Sequence, residues 1–114
     1  MGLLDFFKKS DINAETERWR QAPGGVLLDV RREEEYADGH IPGSLNLPLD
    51  EIARAEAVIP DKAAPLFIYC LSGGRSSRAA AELKALGYGD VRNIGGIRAY
   101  RGELETGIPG ENRE

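Results

Sequence analysis

The chain has 114 residues, 41% of them hydrophobic and 30% charged, which fits one compact domain built around one core. Its formal net charge of −4 argues against nucleic-acid and membrane-surface partners, because either would favour a basic face. No stretch approaches the roughly 20 apolar residues of a membrane-spanning helix.

The chain opens on an amphipathic segment, MGLLDFFKKS, over residues 1–10. Its apolar part is too short for a secretory signal and is interrupted by Asp5, and Phe6 does not fit the myristoylation pattern. We therefore expect a short helix or flexible segment over 1–10, a domain over 11–105, a loose tail over 106–114 and a cytoplasmic location.

Short apolar runs predict the strands. Residues 26–30 (VLLDV) and 66–70 (LFIYC) are continuous apolar runs preceded by glycine or proline, as is typical of strands buried on both faces of a sheet. Shorter strands are predicted at 44–47 and 91–94, with a marginal edge strand at 11–13.

Helical segments alternate with these strands. They are predicted at 14–21, at 32–38, from an N-cap at Asp50 to 57, at 75–86 and at 97–104. The helix over 75–86 is the clearest, because it is rich in alanine and Gly87 is a suitable stop signal. The alternation predicts an α/β fold with a mostly parallel sheet of about five strands and helices on both faces.

The chain contains one cysteine, Cys70, and one histidine, His40. One cysteine allows neither an intramolecular disulfide nor a cysteine-based metal site, and one histidine excludes a histidine-rich site. We therefore expect no metal and no cofactor.

Cys70 ends a predicted strand and precedes the sequence LSGGRSS. A lone cysteine in a strand is usually a packing residue. In an α/β sheet, however, ligands bind where strands end, and the following helix presents free backbone N–H groups and the positive end of its dipole. Such surroundings lower the pKa of a thiol, and two glycines allow the N–H groups to curl around an anion. We predict Cys70 as a nucleophile, with a substrate-binding loop of Leu71, Ser72, Gly73, Gly74, Arg75 and Ser76.

The stretch YCLSGGRSSRAAAELKALGY resembles the active-site strand, loop and helix of the rhodanese-like (sulfurtransferase) domain family. LLDVRREEEYADGHIPGSLNLPL is similar to the upstream signature of that family, and NIGGIRAY is similar to its closing Gly-Gly segment. The resemblance covers about residues 12–104. Two positions depart from the pattern: Tyr100 stands where tryptophan is frequent, and Ile94 where a charged residue is common.

The resemblance implies that the Cys70 thiolate takes the sulfane sulfur of a small anionic donor such as thiosulfate. The resulting persulfide would be held by backbone N–H groups of the loop, with Arg75 helping to bind the donor. Cyanide, a thiol or a protein cysteine would then accept the sulfur. The loop from Cys70 to Arg75 is one residue shorter than in the related phosphatases, which favours sulfur over phosphate.

Two other functions use the same residues. The domain could be a non-enzymatic sulfur carrier or interaction module, or, less consistently with its loop length, a cysteine-dependent phosphatase or arsenate reductase.

Other polar residues receive structural interpretations. We expect His40 to be structural, and Asp29 to form an ion pair or helix cap with Arg31 and to support the loop. The cluster 33–35 (EEE) is expected to be a solvated helix face. Arg78, Arg98 and Arg101 are candidates for a positive rim around the loop.

Overall fold

The structure is a computed structural model and describes residues 11–108. Within these residues there are four helices: α1 (Ile12–Gln21), α2 (Glu33–Asp38), α3 (Ala55–Val58) and α4 (Gly74–Ala85). The same part of the chain contains four strands: β1 (Val26–Asp29), β2 (Leu45–Asn46), β3 (Leu66–Cys70) and β4 (Val91–Gly96). Short 3₁₀ helices cover Leu49–Arg54, leading into α3, and Ile97–Ala99, following β4.

The strands form one parallel sheet in the order β2-β1-β3-β4. The two long apolar runs are the central strands β1 and β3, and all five residues of β3 are buried. This confirms the predicted α/β fold with a parallel sheet, although the described part of the chain has four strands and not five.

The core has two halves, one on each face of the sheet. Alternate residues of each central strand point to opposite faces, so Leu28 and Ile68 belong to one half and Leu27 and Phe67 to the other. The first half packs with α3, α4 and the first 3₁₀ helix through Ile52, Ala55, Ile59, Ala79, Ala80 and Leu83. The second half packs with α1 through Ile12 and Trp19 and with the chain after β4 through Ile97 and Tyr100.

The predicted edge strand at 11–13 is wrong. The Asp11 side chain accepts a hydrogen bond from the Asn13 backbone N at 3.0 Å and N-caps α1, which begins at Ile12. An aspartate that satisfies an N–H group of the first turn favours helix initiation, and here this effect outweighs the weak strand pattern.

Two predicted helices differ from the structure. The segment predicted to begin at an Asp50 N-cap begins two residues earlier as a 3₁₀ helix, with Pro48 at the N-cap, and becomes α-helical only at Ala55. The helix predicted over 97–104 is a single 3₁₀ turn ending at Ala99. The backbone N of Arg101 donates to Asn13 Oδ1 at 2.8 Å, so it is not available to continue a helix.

The chain around the start of the predicted tail is hydrogen-bonded to the domain. His40 and Glu105 exchange two backbone hydrogen bonds of 2.8 Å, and the Gly107 N–H donates to the Ala37 carbonyl at 2.8 Å. The rest of the predicted tail, over 109–114, and the predicted N-terminal segment 1–10 lie outside the described residues. Within 11–108, no helix has both the length and the apolar character needed to cross a membrane.

Candidate active site

Cys70 is the last residue of β3, and it lies at the carboxyl edge of the sheet beside Gly96 of β4. The residue is 1% exposed. Its Sγ accepts a hydrogen bond from the Gly73 backbone N at 3.0 Å and lies 3.4 Å from Ser76 Oγ. The predicted loop therefore curls back over the sulfur and supplies it with hydrogen-bond donors.

Gly73 makes this curl possible. Its φ of +112° lies in the left-handed region, which residues with a side chain rarely adopt. Gly73 is the N-cap of α4, so the loop turns into the helix within three residues of Cys70. The N-terminal end of α4, where backbone N–H groups have no partner within the helix, is thereby brought next to the sulfur.

These contacts determine the acidity of Cys70. Burial acts to raise the pKa of the thiol, but the Ser76 hydroxyl and the backbone N–H groups of Ser76, Gly73 and Ser72 outweigh it and hold the pKa below its ordinary value. Hydrogen bonds to a charged form favour that form. The loop is therefore a chemical environment that stabilises a thiolate.

Asn93 of β4 forms hydrogen bonds that hold this loop in place, although the sequence did not single it out as a site residue. Its Oδ1 accepts hydrogen bonds from Ser76 Oγ at 2.7 Å and from the Gly95 backbone N at 3.0 Å. Its Nδ2 donates to the Gly73 carbonyl at 3.2 Å. The only signal in the sequence is a polar side chain inside a segment predicted to be a strand.

The Gly-Gly pair after Ile94 forms the floor of the loop. A Cβ added at Gly96 would collide with the Leu71 carbonyl and lie 2.5 Å from the Ser72 Cα. The same carbonyl accepts a hydrogen bond from the Arg98 backbone N at 3.2 Å. A glycine is needed at position 96 because the loop passes directly over the end of β4.

Arg75, at the end of the loop, forms a two-point ion pair with Glu35 of α2. Arg75 Nη1 lies 2.7 Å from Glu35 Oε1, and Nη2 lies 3.0 Å from Oε2. The interpretation of 33–35 as a solvated face is therefore wrong for Glu35, because this residue faces the loop while Glu33 and Glu34 are exposed. The hydrogen bond from Arg75 lowers the pKa of Glu35 to about 2, against the opposing effect of burial.

Asp29 and Arg31 form the predicted ion pair behind the site. Arg31 Nη2 lies 2.8 Å from Asp29 Oδ2, and both side chains are buried. Arg31 also donates to the Gly39 carbonyl at 2.7 Å, and Asn46 Nδ2 donates to the Asp29 carbonyl at 3.0 Å. This network ties the end of β1 to β2 and to the turn after α2.

His40 occupies a structural position, as predicted. The residue is 2% exposed, and its ring stacks on the Tyr36 ring with a centroid distance of 3.7 Å. Its Nδ1 lies 2.8 Å from the Tyr36 carbonyl, and its Nε2 lies 3.5 Å from Glu105 Oε1. These contacts join α2 to the segment after β4.

The three arginines predicted to form a positive rim differ in position. Arg78 lines a groove of about 430 Å³ beside α4, together with Arg32 and Arg75. Arg98 is exposed and next to the loop through its backbone, and Arg101 is exposed near the start of α1.

Residues 13–103 match the protein family described as "Rhodanese-like domain". The chain belongs to the rhodanese-like domain family.

Named relatives are consistent with this assignment. A sulfurtransferase of Allochromatium vinosum is 40% identical over 79% of this chain and 84% of its own length. The thiosulfate sulfurtransferase PspE of Escherichia coli is 38% identical over 62% of this chain and 69% of its own length. The rhodanese-like domain of the Anabaena protein Alr3790 superposes with a TM-score of 0.77 at 27% identity, over 93% of this chain and 84% of that structure.

Some relatives are longer proteins, and the chain spans only 26% to 31% of the length of these relatives. Taken together, the relatives place the chain among rhodanese-like domains of the sulfurtransferase type.

Proposed function

We propose that this protein is a sulfurtransferase that carries sulfur as a persulfide on Cys70, from a donor such as thiosulfate to a thiophilic acceptor. The main support for the proposal is the set of hydrogen bonds that the Cys70 sulfur accepts. Cys70 Sγ is 3.0 Å from the Gly73 N and 3.4 Å from Ser76 Oγ, at the N-terminal end of α4. A thiol in such surroundings is ionised more readily and can attack without a separate general base.

In the first half-reaction, the Cys70 thiolate attacks the outer sulfur of thiosulfate. A new S–S bond forms to Sγ while the S–S bond of the donor breaks, and sulfite leaves with the electron pair. The product is a persulfide whose terminal sulfur carries the negative charge. We assign the binding of this sulfur to the backbone N–H groups of the loop, from Leu71 through Ser72, Gly73, Gly74 and Arg75 to Ser76.

In the second half-reaction, a nucleophile attacks the terminal sulfur of the persulfide. Cyanide becomes thiocyanate, and a thiolate becomes a new persulfide, while Cys70 regains the electron pair as a thiolate. Cys70 is the only cysteine of the chain, so the acceptor must be a separate molecule. Both half-reactions pass through the persulfide form of the enzyme, so we expect ping-pong kinetics.

Arg75 and Asp29 have supporting roles in this proposal. Arg75 places a positive charge at the end of the loop that receives the anionic donor, although its two terminal nitrogens already bind Glu35. Asp29 anchors Arg31 and holds the end of β1, which pairs with β3 beneath Cys70.

Steady-state kinetics with thiosulfate and cyanide test the proposal. We expect parallel double-reciprocal lines and no turnover in Cys70→Ser, while Ser77→Ala on the exposed side of α4 retains activity. Faster turnover of an aryl phosphate than of thiosulfate would contradict the proposal and favour a phosphatase.

A sulfur carrier working within a complex is the second candidate. It is favoured by a relative named "Putative sulfur carrier protein YrkF", of Bacillus subtilis, of which the chain covers 43%. Loading of Cys70 followed by slow release to cyanide and rapid release to a thiol-bearing protein would support this candidate over a free-standing enzyme.

A further inference from the structure

The guanidinium of Arg75 is already bound by a carboxylate. The two carboxylate oxygens of Glu35 accept hydrogen bonds from Nη1 at 2.7 Å and from Nη2 at 3.0 Å. This parallel two-point geometry is also the one by which arginine binds phosphate. A phosphate or arsenate ion that entered the loop would have to compete with Glu35 for the same two nitrogens.

Glu35 is itself held in place. Its Oε1 accepts a second hydrogen bond from the Arg32 backbone N at 2.9 Å, which caps α2. The Glu35 side chain is 22% exposed and the Arg75 side chain 32%, so water screens the pair only in part. Its pKa of about 2 keeps the carboxylate charged at neutral pH. The charged carboxylate, bound to Arg75, therefore offsets the positive charge of the guanidinium.

We propose that Glu35 is a specificity-determining residue, which occupies the Arg75 guanidinium and thereby excludes phosphate and arsenate, whose oxygens would need that guanidinium, from the Cys70 loop. The backbone N–H groups remain as the anion site, and they suit a single sulfur atom. Thiosulfate presents its outer sulfur atom to these N–H groups, so its sulfonate group does not have to enter the loop. This role of Glu35 concerns the substrate specificity of the proposed sulfurtransferase. It rests on the proposed function because it takes the Cys70 loop as the reactive site.

The test measures how well inorganic phosphate protects Cys70 from alkylation by iodoacetamide. Iodoacetamide is neutral, and each variant is compared with itself with and without phosphate, so a change in thiol acidity cancels. Glu35→Gln keeps an oxygen that can accept from the Arg32 N–H but removes the charge. Glu34→Gln is the matched control, because Glu34 is the adjacent acid and its side chain is 74% exposed.

We expect Glu35→Gln to be protected at a phosphate concentration about tenfold lower than the wild type, as the freeing of one charge-assisted pair implies. Glu34→Gln should behave like the wild type. The double variant Glu35→Gln/Arg75→Met should lose the gain, because the released guanidinium is absent. Equal protection of the wild type and Glu35→Gln would overturn the proposal, as would a gain that persists in the double variant.

A measurement on the wild type covers the case in which Glu35→Gln does not fold. The ¹⁵N NMR signals of the Arg75 guanidinium should stay in place as phosphate is added, and a shift that saturates would overturn the proposal. Alkylation requires no sulfur transfer, so these results are independent of turnover. A missing persulfide would contradict the proposed function and leave the exclusion of phosphate by Glu35 standing.

Discussion

The Ser76 hydroxyl lies within reach of three acceptors, 2.7 Å from Asn93 Oδ1, 3.1 Å from the Gly73 carbonyl and 3.4 Å from Cys70 Sγ. A hydroxyl has one proton and can donate it to only one of them at a time. An ionised sulfur is the stronger acceptor, so formation of the thiolate draws the proton from Asn93 towards Cys70. Asn93 Oδ1 retains the bond from the Gly95 N–H in either state and keeps the loop fastened.

Ser76→Ala should therefore make Cys70 less acidic. The hydroxyl is the largest of the interactions that lower the pKa of this thiol, so its removal moves the pKa upward. At neutral pH, the rate of alkylation by iodoacetamide should fall about two- to tenfold, the equivalent of one hydrogen bond. The measurement is the alkylation rate as a function of pH, whose midpoint should lie at higher pH than in the wild type. Ser77→Ala, one residue along and exposed, is the control. An unchanged midpoint in Ser76→Ala would contradict this account of thiol acidity.

Gly96→Ala should disturb the loop without disturbing the backbone of β4. The φ of −128° and ψ of 144° at Gly96 suit any residue, so the obstacle is the collision of the new Cβ with the Leu71 carbonyl and the Ser72 Cα. We expect a loss of about 1–3 kcal/mol in the free energy of unfolding and a fall in sulfur transfer of about tenfold or more. Urea unfolding and thiosulfate kinetics measure these two effects. Gly89→Ala is the control, because a Cβ there meets nothing within 4 Å. Equal effects of the two substitutions would show that the close approach is unimportant.

The Glu35–Arg75 ion pair should contribute to stability in a pH-dependent way. The pKa of Glu35 falls from an ordinary value of 4.5 to about 2 in the folded protein. A lowered folded pKa means that the contribution is fully present above about pH 4.5 and is lost as the pH falls through about 2. The difference in unfolding free energy between the wild type and Glu35→Gln should shrink over this range in urea titrations. Glu34→Gln should show no comparable trend, and a difference for Glu35→Gln that stays constant down to pH 2 would contradict the assignment.

The central part of the fold was predictable because its signals are local. The continuous apolar run over 66–70 predicted β3 with the correct bounds, and the helix predicted over 75–86 differs from α4 by one residue at each end. Errors arose where a single hydrogen bond to a side chain accompanies the change in conformation. The Asp11 cap turned a predicted edge strand into the start of α1, and the bond from the Arg101 N–H to Asn13 accompanies the early end of the last helix.

The site was predictable only where it is continuous in the chain. The strand, the glycines and the helix around Cys70 follow one another, so their chemistry could be inferred from spacing. The contacts of Glu35 with Arg75 and of Asn93 with Ser76 join segments 40 and 17 residues apart. A single sequence contains no periodicity that predicts such pairs, and a run of three glutamates looks like a solvated helix face until the fold places one of them beside the loop.

The most direct test of the account is the intact mass of the protein after treatment with thiosulfate and removal of excess reagent. The proposed persulfide predicts a gain of one sulfur atom, which cyanide removes and which is absent in Cys70→Ser. An unchanged mass in the folded wild type, or a gain that persists in Cys70→Ser, would contradict the claim that Cys70 carries the sulfur.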